Sequence, residues 1–213
     1  MCKSSKTLKH LVAATVLSVV TALFGNARAP AAAIVFQLPG SVQIIGGQLL
    51  VGVAISGMVT DAPPSLGTFD LDISYDTAVL AYVSTTFGDP VLGDQLDLTM
   101  QGSVTSATLG LGMVNIFGLS LDSPADLNAL QRGDFVLATL TFQAVGAGTS
   151  NFGITVNALG DATGSAISNP QLGTGSVTVV PEPTALAILL ACASIVLGRN
   201  RPNRRGVKAV GTF

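Results

Sequence analysis

In TFDLDISY, residues 68–75, Phe69, Leu71, Ile73 and Tyr75 alternate with Asp70, Asp72 and Ser74. Successive side chains of a strand point to opposite faces, so the stretch predicts a half-buried strand with its aromatic and aliphatic side in a core. LLVGVAIS, ATLTFQ, NFGITVNA and SVTVV repeat the pattern with β-branched residues, and DAPPSLG, FGDP, VGAGTS and LGDATG separate the runs. Turn-rich breaks between short alternating runs predict roughly eight to ten strands, hence an antiparallel sandwich or barrel. LDSPADLNALQRGDF departs from this pattern. There Ser123 can cap a helix, Pro124 suits its first position, Asp126 stands three after the cap and Gly133 can close it, which predicts a short helix over residues 124–132. Joining two strands, it is expected to serve as a packing lid rather than a contact surface.

The two ends read differently. MCKSSKTLKH carries three lysines, the apolar LVAATVLSVVTALF follows, and small residues come next at Ala27, Ala29 and Ala31 to Ala33. That order predicts a secretory signal peptide over residues 1–33. Cleavage fits after Ala29 or Ala33, and Ala33 is preferred because Pro30 directly follows the first point. At the other end, residues 185–197 contain no charge and Arg199, Arg201, Arg204 and Arg205 follow. The run is shorter than the roughly 17 to 25 residues of a permanent span. The basic cluster has the layout of a membrane stop with its C-terminal side in the cytoplasm. Transient membrane insertion is the expectation, with residues 206–213 as a short cytoplasmic tail.

Charge separates the body from the ends. Residues 34–180 hold eleven aspartates, no glutamate, no lysine and one arginine, Arg132, for a formal charge of 1 − 11 = −10, while the whole chain has −2. A field of this sign repels nucleic acid and anionic lipid. The only histidine, His10, and Cys2 lie in the predicted leader, and Cys192 lies in the apolar run. The body therefore has no disulfide, zinc or thiol chemistry of its own, and its stability must come from packing.

The remaining chemistry is that of aspartate. Asp70 and Asp72 share a strand face at a spacing of about 7 Å, which a glycosidase could use, but any alternating acidic strand has that spacing and the pair is read as solvated surface. GLGMVNIFG is strand sequence rather than a phosphate loop, since no lysine follows it. Asp89, Asp94 and Asp97 in FGDPVLGDQLD and Asp161 in LGDATG could contribute oxygens to calcium, yet an ordinary turn accounts for each equally well. No cofactor and no catalytic residue is assigned.

The tail Val180, Pro181, Glu182, Pro183, then apolar run, then arginines, resembles the PEP-CTERM sorting signal over residues 180–205. The resemblance implies recognition and processing by a membrane-embedded exosortase, and delivery to the cell envelope, cell surface or biofilm matrix. The body, over residues 42–180, resembles cohesin modules in GTFDLDISYDTAVLAYVSTTFGD and in GDFVLATLTFQAVGAGTSNFGITVNALGDATGSAI. That resemblance implies a nine-stranded jelly-roll sandwich over residues 34–179. Cohesins of cellulosomes bind dockerin modules through one sheet face, so a non-catalytic binding or adhesion module is implied, with an envelope protein as partner. The alternative is a carbohydrate-binding module on extracellular polysaccharide. Its sugar platform would fall to Tyr82 and Phe87, since Phe69 and Tyr75 are expected to point inward and Trp is absent.

Overall fold

A computed structural model describes residues 32–40 and 42–182. The strands are β1 (Ala33–Gln37), β2 (Val42–Ile44), β3 (Gln48–Ser56), β4 (Leu66–Ser74), β5 (Leu80–Phe87), β6 (Ser103–Gly110), β7 (Met113–Ser120), β8 (Phe135–Ala144), β9 (Gly148–Asp161), β10 (Gln171–Leu172) and β11 (Gly175–Val180), with one helix, α1 (Pro124–Leu130), before β8. They form a five-stranded sheet in the order β10-β1-β3-β8-β5 and a six-stranded sheet in the order β2-β11-β9-β4-β7-β6. Nine strands have five residues or more, and β2 and β10 add three and two residues at sheet edges.

Most ladders are antiparallel, with parallel pairs at two corners, β1 with β10 and β2 with β11. At both corners the chain changes sheet over a few residues. Between β2 and β3 it passes through Gly46 at φ 86, a left-handed conformation that glycine adopts without a Cβ clash.

Alternation places the core between the sheets. In β4, Phe69, Leu71 and Ile73 are buried, and Tyr75 just beyond is 9 % exposed. Opposite them stand Val51, Val53 and Ile55 of β3 and Leu140 and Phe142 of β8, all buried. Phe142 is the aromatic hub, with ring centroids 4.8 Å from Tyr75, 5.6 Å from Phe152 and 6.0 Å from Tyr82. Tilted and edge-to-face pairs of this kind add to area burial about 0.5–1.5 kcal/mol each. Gly118 of β7 opens the slot for Phe69: a Cβ there would lie 2.6 Å from the ring's Cζ. The core cluster draws on Ile34 to Val179, so the sandwich closes on residues of its own body.

The helix is shorter than the sequence suggests. Ser123 caps it as expected, accepting from Asp126 N at 3.2 Å and donating to Asp126 Oδ2 at 2.6 Å. It ends at Leu130 because Gln131 turns extended, at φ −74 and ψ 137, and sends its amide into the core. Gly133 does not close the helix. A Cβ at that position would collide with the carbonyl oxygen of Met58, so its role is close backbone approach. The helix is a lid: Leu127 is 1 % exposed and Gln131 2 %.

Candidate binding face

The outer face of the six-stranded sheet is built by the same alternation that fills the core. β6 and β7 form a tight hairpin through Leu111 and Gly112, with Gly112 at φ 69. Its register sets Val104 opposite Leu119, Ser106 opposite Phe117 and Thr108 opposite Asn115. The ladder from β7 to β4 continues these rows to Thr68, Asp70 and Asp72, and the ladder to β9 adds Ala158 and Thr155 beside the two aspartates. Val114 and Ile116 between these β7 positions are buried, so the row residues face away from the core. Val104, Leu119 and Leu121 are exposed, and Phe117 is half-buried. An apolar strip on β6 and β7 thus runs into a carboxylate pair on β4.

That pair is not loosely solvated. Asn115 donates through Nδ2 to Asp70 Oδ1 at 2.6 Å and to Asp72 Oδ1 at 2.8 Å, and Asn157 Nδ2 donates to Asp70 Oδ1 at 3.2 Å. Two carboxylates held through one amide occupy the space an acid–base pair would leave for substrate, so the geometry suits fixed charge display rather than proton transfer. Asp161, at the end of β9, is the one further charged residue within a described strand. The strands of the five-stranded sheet carry no charge.

The other aspartates serve the loops. Asp89 Oδ1 accepts from Val91 N and Leu92 N at 2.8 and 2.9 Å, and its Oδ2 accepts from Val136 N at 2.8 Å. Burial pushes its pKa up, but the N–H groups of Leu92, Val136 and Val91 outweigh this and hold it below the ordinary carboxylate value. Asp94 and Asp97 take Leu96 N, Ser103 Oγ and Gly102 N. Asp161 is also lowered, first by the Thr163 hydroxyl and then by backbone N–H groups around its turn. Among the described residues no group of three potential metal ligands converges.

Tyr82 and Phe87 pack against the core, with Tyr82 Oη 2.9 Å from Thr85 Oγ1. Every described aromatic side chain is buried or half-buried. The open groove of about 540 Å³ lined by Asn151, Thr174, Gly175 and Ser176 offers only Phe152 as a ring, and that ring is 2 % exposed. Of the sorting motif, Val180 ends β11, paired with Ile44, and Pro181 and Glu182 are exposed. Pro183, the apolar run, Arg199, Arg201, Arg204 and Arg205 lie outside the described residues, as does the leader up to residue 31. Among the described residues no helix is long and apolar enough to cross a membrane.

No family model matches the chain, and no curated protein matches it. Solved structures do. A non-cellulosomal cohesin from the archaeon Archaeoglobus fulgidus superposes with a TM-score of 0.51 at 18% identity, covering 74% of this chain and 97% of that one. The seventh ScaB type I cohesin of Pseudobacteroides cellulosolvens gives 0.55 at 14% identity, over 73% and 96%. A chain from the OlpA type I cohesin–dockerin complex of Clostridium thermocellum gives 0.54 at 16%, over 70% and 99%. The fold is that of cohesin modules. The superpositions cover 96–99% of each of these three neighbours, so the sandwich matches their fold over nearly its whole length. At these identities the likeness carries architecture and not the choice of partner.

The sequence did not single out this face. Val104, Leu119 and Leu121 are separate apolar positions along the chain, and only the register shows them sharing a surface. The available signal was Asn115, a polar residue between two apolar strand positions.

Proposed function

We propose that this chain is an exported, non-catalytic cohesin-like module that binds an envelope or matrix protein through the outer face of β6, β7, β4 and β9. The observation that carries this reading is the uncovered apolar strip of Val104, Leu119 and Leu121 set beside the fixed carboxylates Asp70 and Asp72. An apolar centre with charged neighbours is the anatomy of a protein-binding patch. A sugar-binding face would instead present aromatic platforms. Leu119→Lys is expected to abolish retention of the protein partner from envelope extracts while leaving the melting temperature within about 2 °C, because the side chain lies outside the core. Retention on the native polysaccharide alone, indifferent to Leu119→Lys, would reverse the assignment in favour of a carbohydrate-binding module.

Delivery rests on the two ends. The leader and the Val180-Pro181-Glu182-Pro183 motif support export followed by exosortase processing, and the exposure of Pro181 and Glu182 beyond the last strand is consistent with recognition there. For the leader, Ala32 O accepts from Gln171 N at 2.8 Å and Ala33 pairs with Ser56. Cleavage after Ala33 gives up these two contacts but avoids Pro30, which directly follows Ala29, and it leaves Ile34 paired with Ile55. The intact mass of the exported protein tests both ends at once: the mature chain is expected to begin at Ile34 and to lack the arginine cluster. Replacing Pro181, Glu182 and Pro183 with alanine is expected to restore the unprocessed C-terminal mass. Unchanged processing in that variant would remove the sorting assignment.

A further inference from the structure

Strand β6 is a free edge of the six-stranded sheet. Among the described residues it pairs with β7 alone, and every position from Val104 to Gly110 is exposed. Edge strands present unpaired N–H and C=O groups, and proteins usually blunt them with brevity, bulges, proline or charge. The other edges follow that rule: β2 and β10 have three and two residues, and β5 carries a register shift between Tyr82 and Ser84. SVTSATLG has no charge and no proline, and its register against β7 is unbroken.

The phase of this edge is fixed. Leu121 N donates to Gly102 O at 3.2 Å, so the even-numbered residues of β6 bond to β7. Ser103, Thr105, Ala107 and Leu109 therefore turn their N–H and C=O groups to the free side. We propose that this edge pairs with the same edge of a second copy of the chain, antiparallel about a two-fold axis at Ser106. In that register Ser103 stands opposite Leu109 of the other copy and Thr105 opposite Ala107, giving about eight interchain backbone hydrogen bonds. The axis is perpendicular to the sheet, so the outer faces of both copies join into one continuous surface.

Charge selects this occupant's orientation. The loop entering β6 holds Asp94 and Asp97, bonded to Ser103 Oγ and Gly102 N, whereas the turn leaving it, Leu111 and Gly112, is neutral. Two-fold pairing lays each acidic end against a neutral end and keeps the two acidic loops about 20 Å apart along the strand. Parallel pairing would set them side by side.

The absence of cysteine from residues 34–180 makes the test clean. In the full chain carrying Cys2→Ser and Cys192→Ser, Ser106→Cys places two thiols at a non-hydrogen-bonded pair, with Cα atoms about 4.5 Å apart and within disulfide reach. Mild oxidation is expected to yield a covalent dimer about tenfold faster than Val83→Cys, on the bulged β5 edge. Ala107→Pro removes an N–H that points away from β7, and is expected to convert the sedimenting dimer to monomer while the fold persists. Ser106→Lys, which lowers the net negative charge yet sets two ammonium groups on the axis, is expected to do the same without altering the backbone. Equal crosslinking at the two cysteines, a dimer indifferent to Ser106→Lys, or a dimer that disappears when the chain ends at Glu182 would each overturn the proposal.

Discussion

Gln131 shows how one side chain joins three parts of the molecule. Its Oε1 accepts from Leu66 N at 2.6 Å, and its Nε2 donates to Leu66 O and Gln95 O, both at 2.9 Å. The amide thus ties the start of β4 and the loop after β5 to the end of the helix, in a setting where water cannot substitute. Removing it leaves a buried N–H and two carbonyls without partners, at about 1–3 kcal/mol for each unsatisfied group before relaxation. Gln131→Ala is expected to lower the unfolding free energy by about 3 kcal/mol in urea titration, with an unchanged slope. A loss below about 0.5 kcal/mol would mean the three groups find other partners. Arg132 offers the contrast: its contact with Asp61 is 4.0 Å long, with both side chains about half exposed, and such pairs contribute little.

Elements with a periodic sequence were legible, and those without one were not. β4 alternates cleanly, and the alternation locates it to within two residues, because its inner side meets a core and its outer side does not. β6 has no apolar period for a physical reason, since an edge strand exposed on both sides has no face to mark. The sequence puts the helix end too late because a glycine three residues beyond Leu130 looks like its stop, while the stop in fact lies in a glutamine drawn inward by partners distant in sequence. The loop of residues 88–102 gave only its aspartates, yet it is ordered by them. Asp89 has a lowered pKa in the folded state, so its contribution is fully present above the unfolded value of about 3.9 and is lost as pH falls through the folded value. Asp89→Asn is expected to cost about 1–2 kcal/mol at neutral pH and progressively less as the solution is acidified below about pH 4, so that the variant's stability falls less steeply with acidification. Parallel acid limbs for the two proteins would contradict this account of the loop.

At the scale of the whole molecule, the cohesin fold supplies stability through its apolar interior and leaves charge to the loops and one outer sheet face. The formal charge of −10 over residues 34–180 is carried with a single cation, Arg132, whose only ion pair among the described residues is exposed. Attraction lost on adding salt is therefore small, and the repulsion relieved is larger, since charges beyond roughly 8–10 Å are screened near physiological ionic strength. Folding compresses these like charges, so screening favours the folded state. Raising sodium chloride from about 20 to about 300 mM is expected to lift the melting temperature by roughly 2–5 °C, with most of the gain below about 150 mM, where the Debye length changes fastest. Sodium chloride separates this effect from the surface exclusion that sulfate would add. A melting temperature that fell over the same range would mean that attractive contacts, not self-repulsion, dominate the electrostatics of the body. The carboxylates would then have to be engaged by cations that the described residues do not supply.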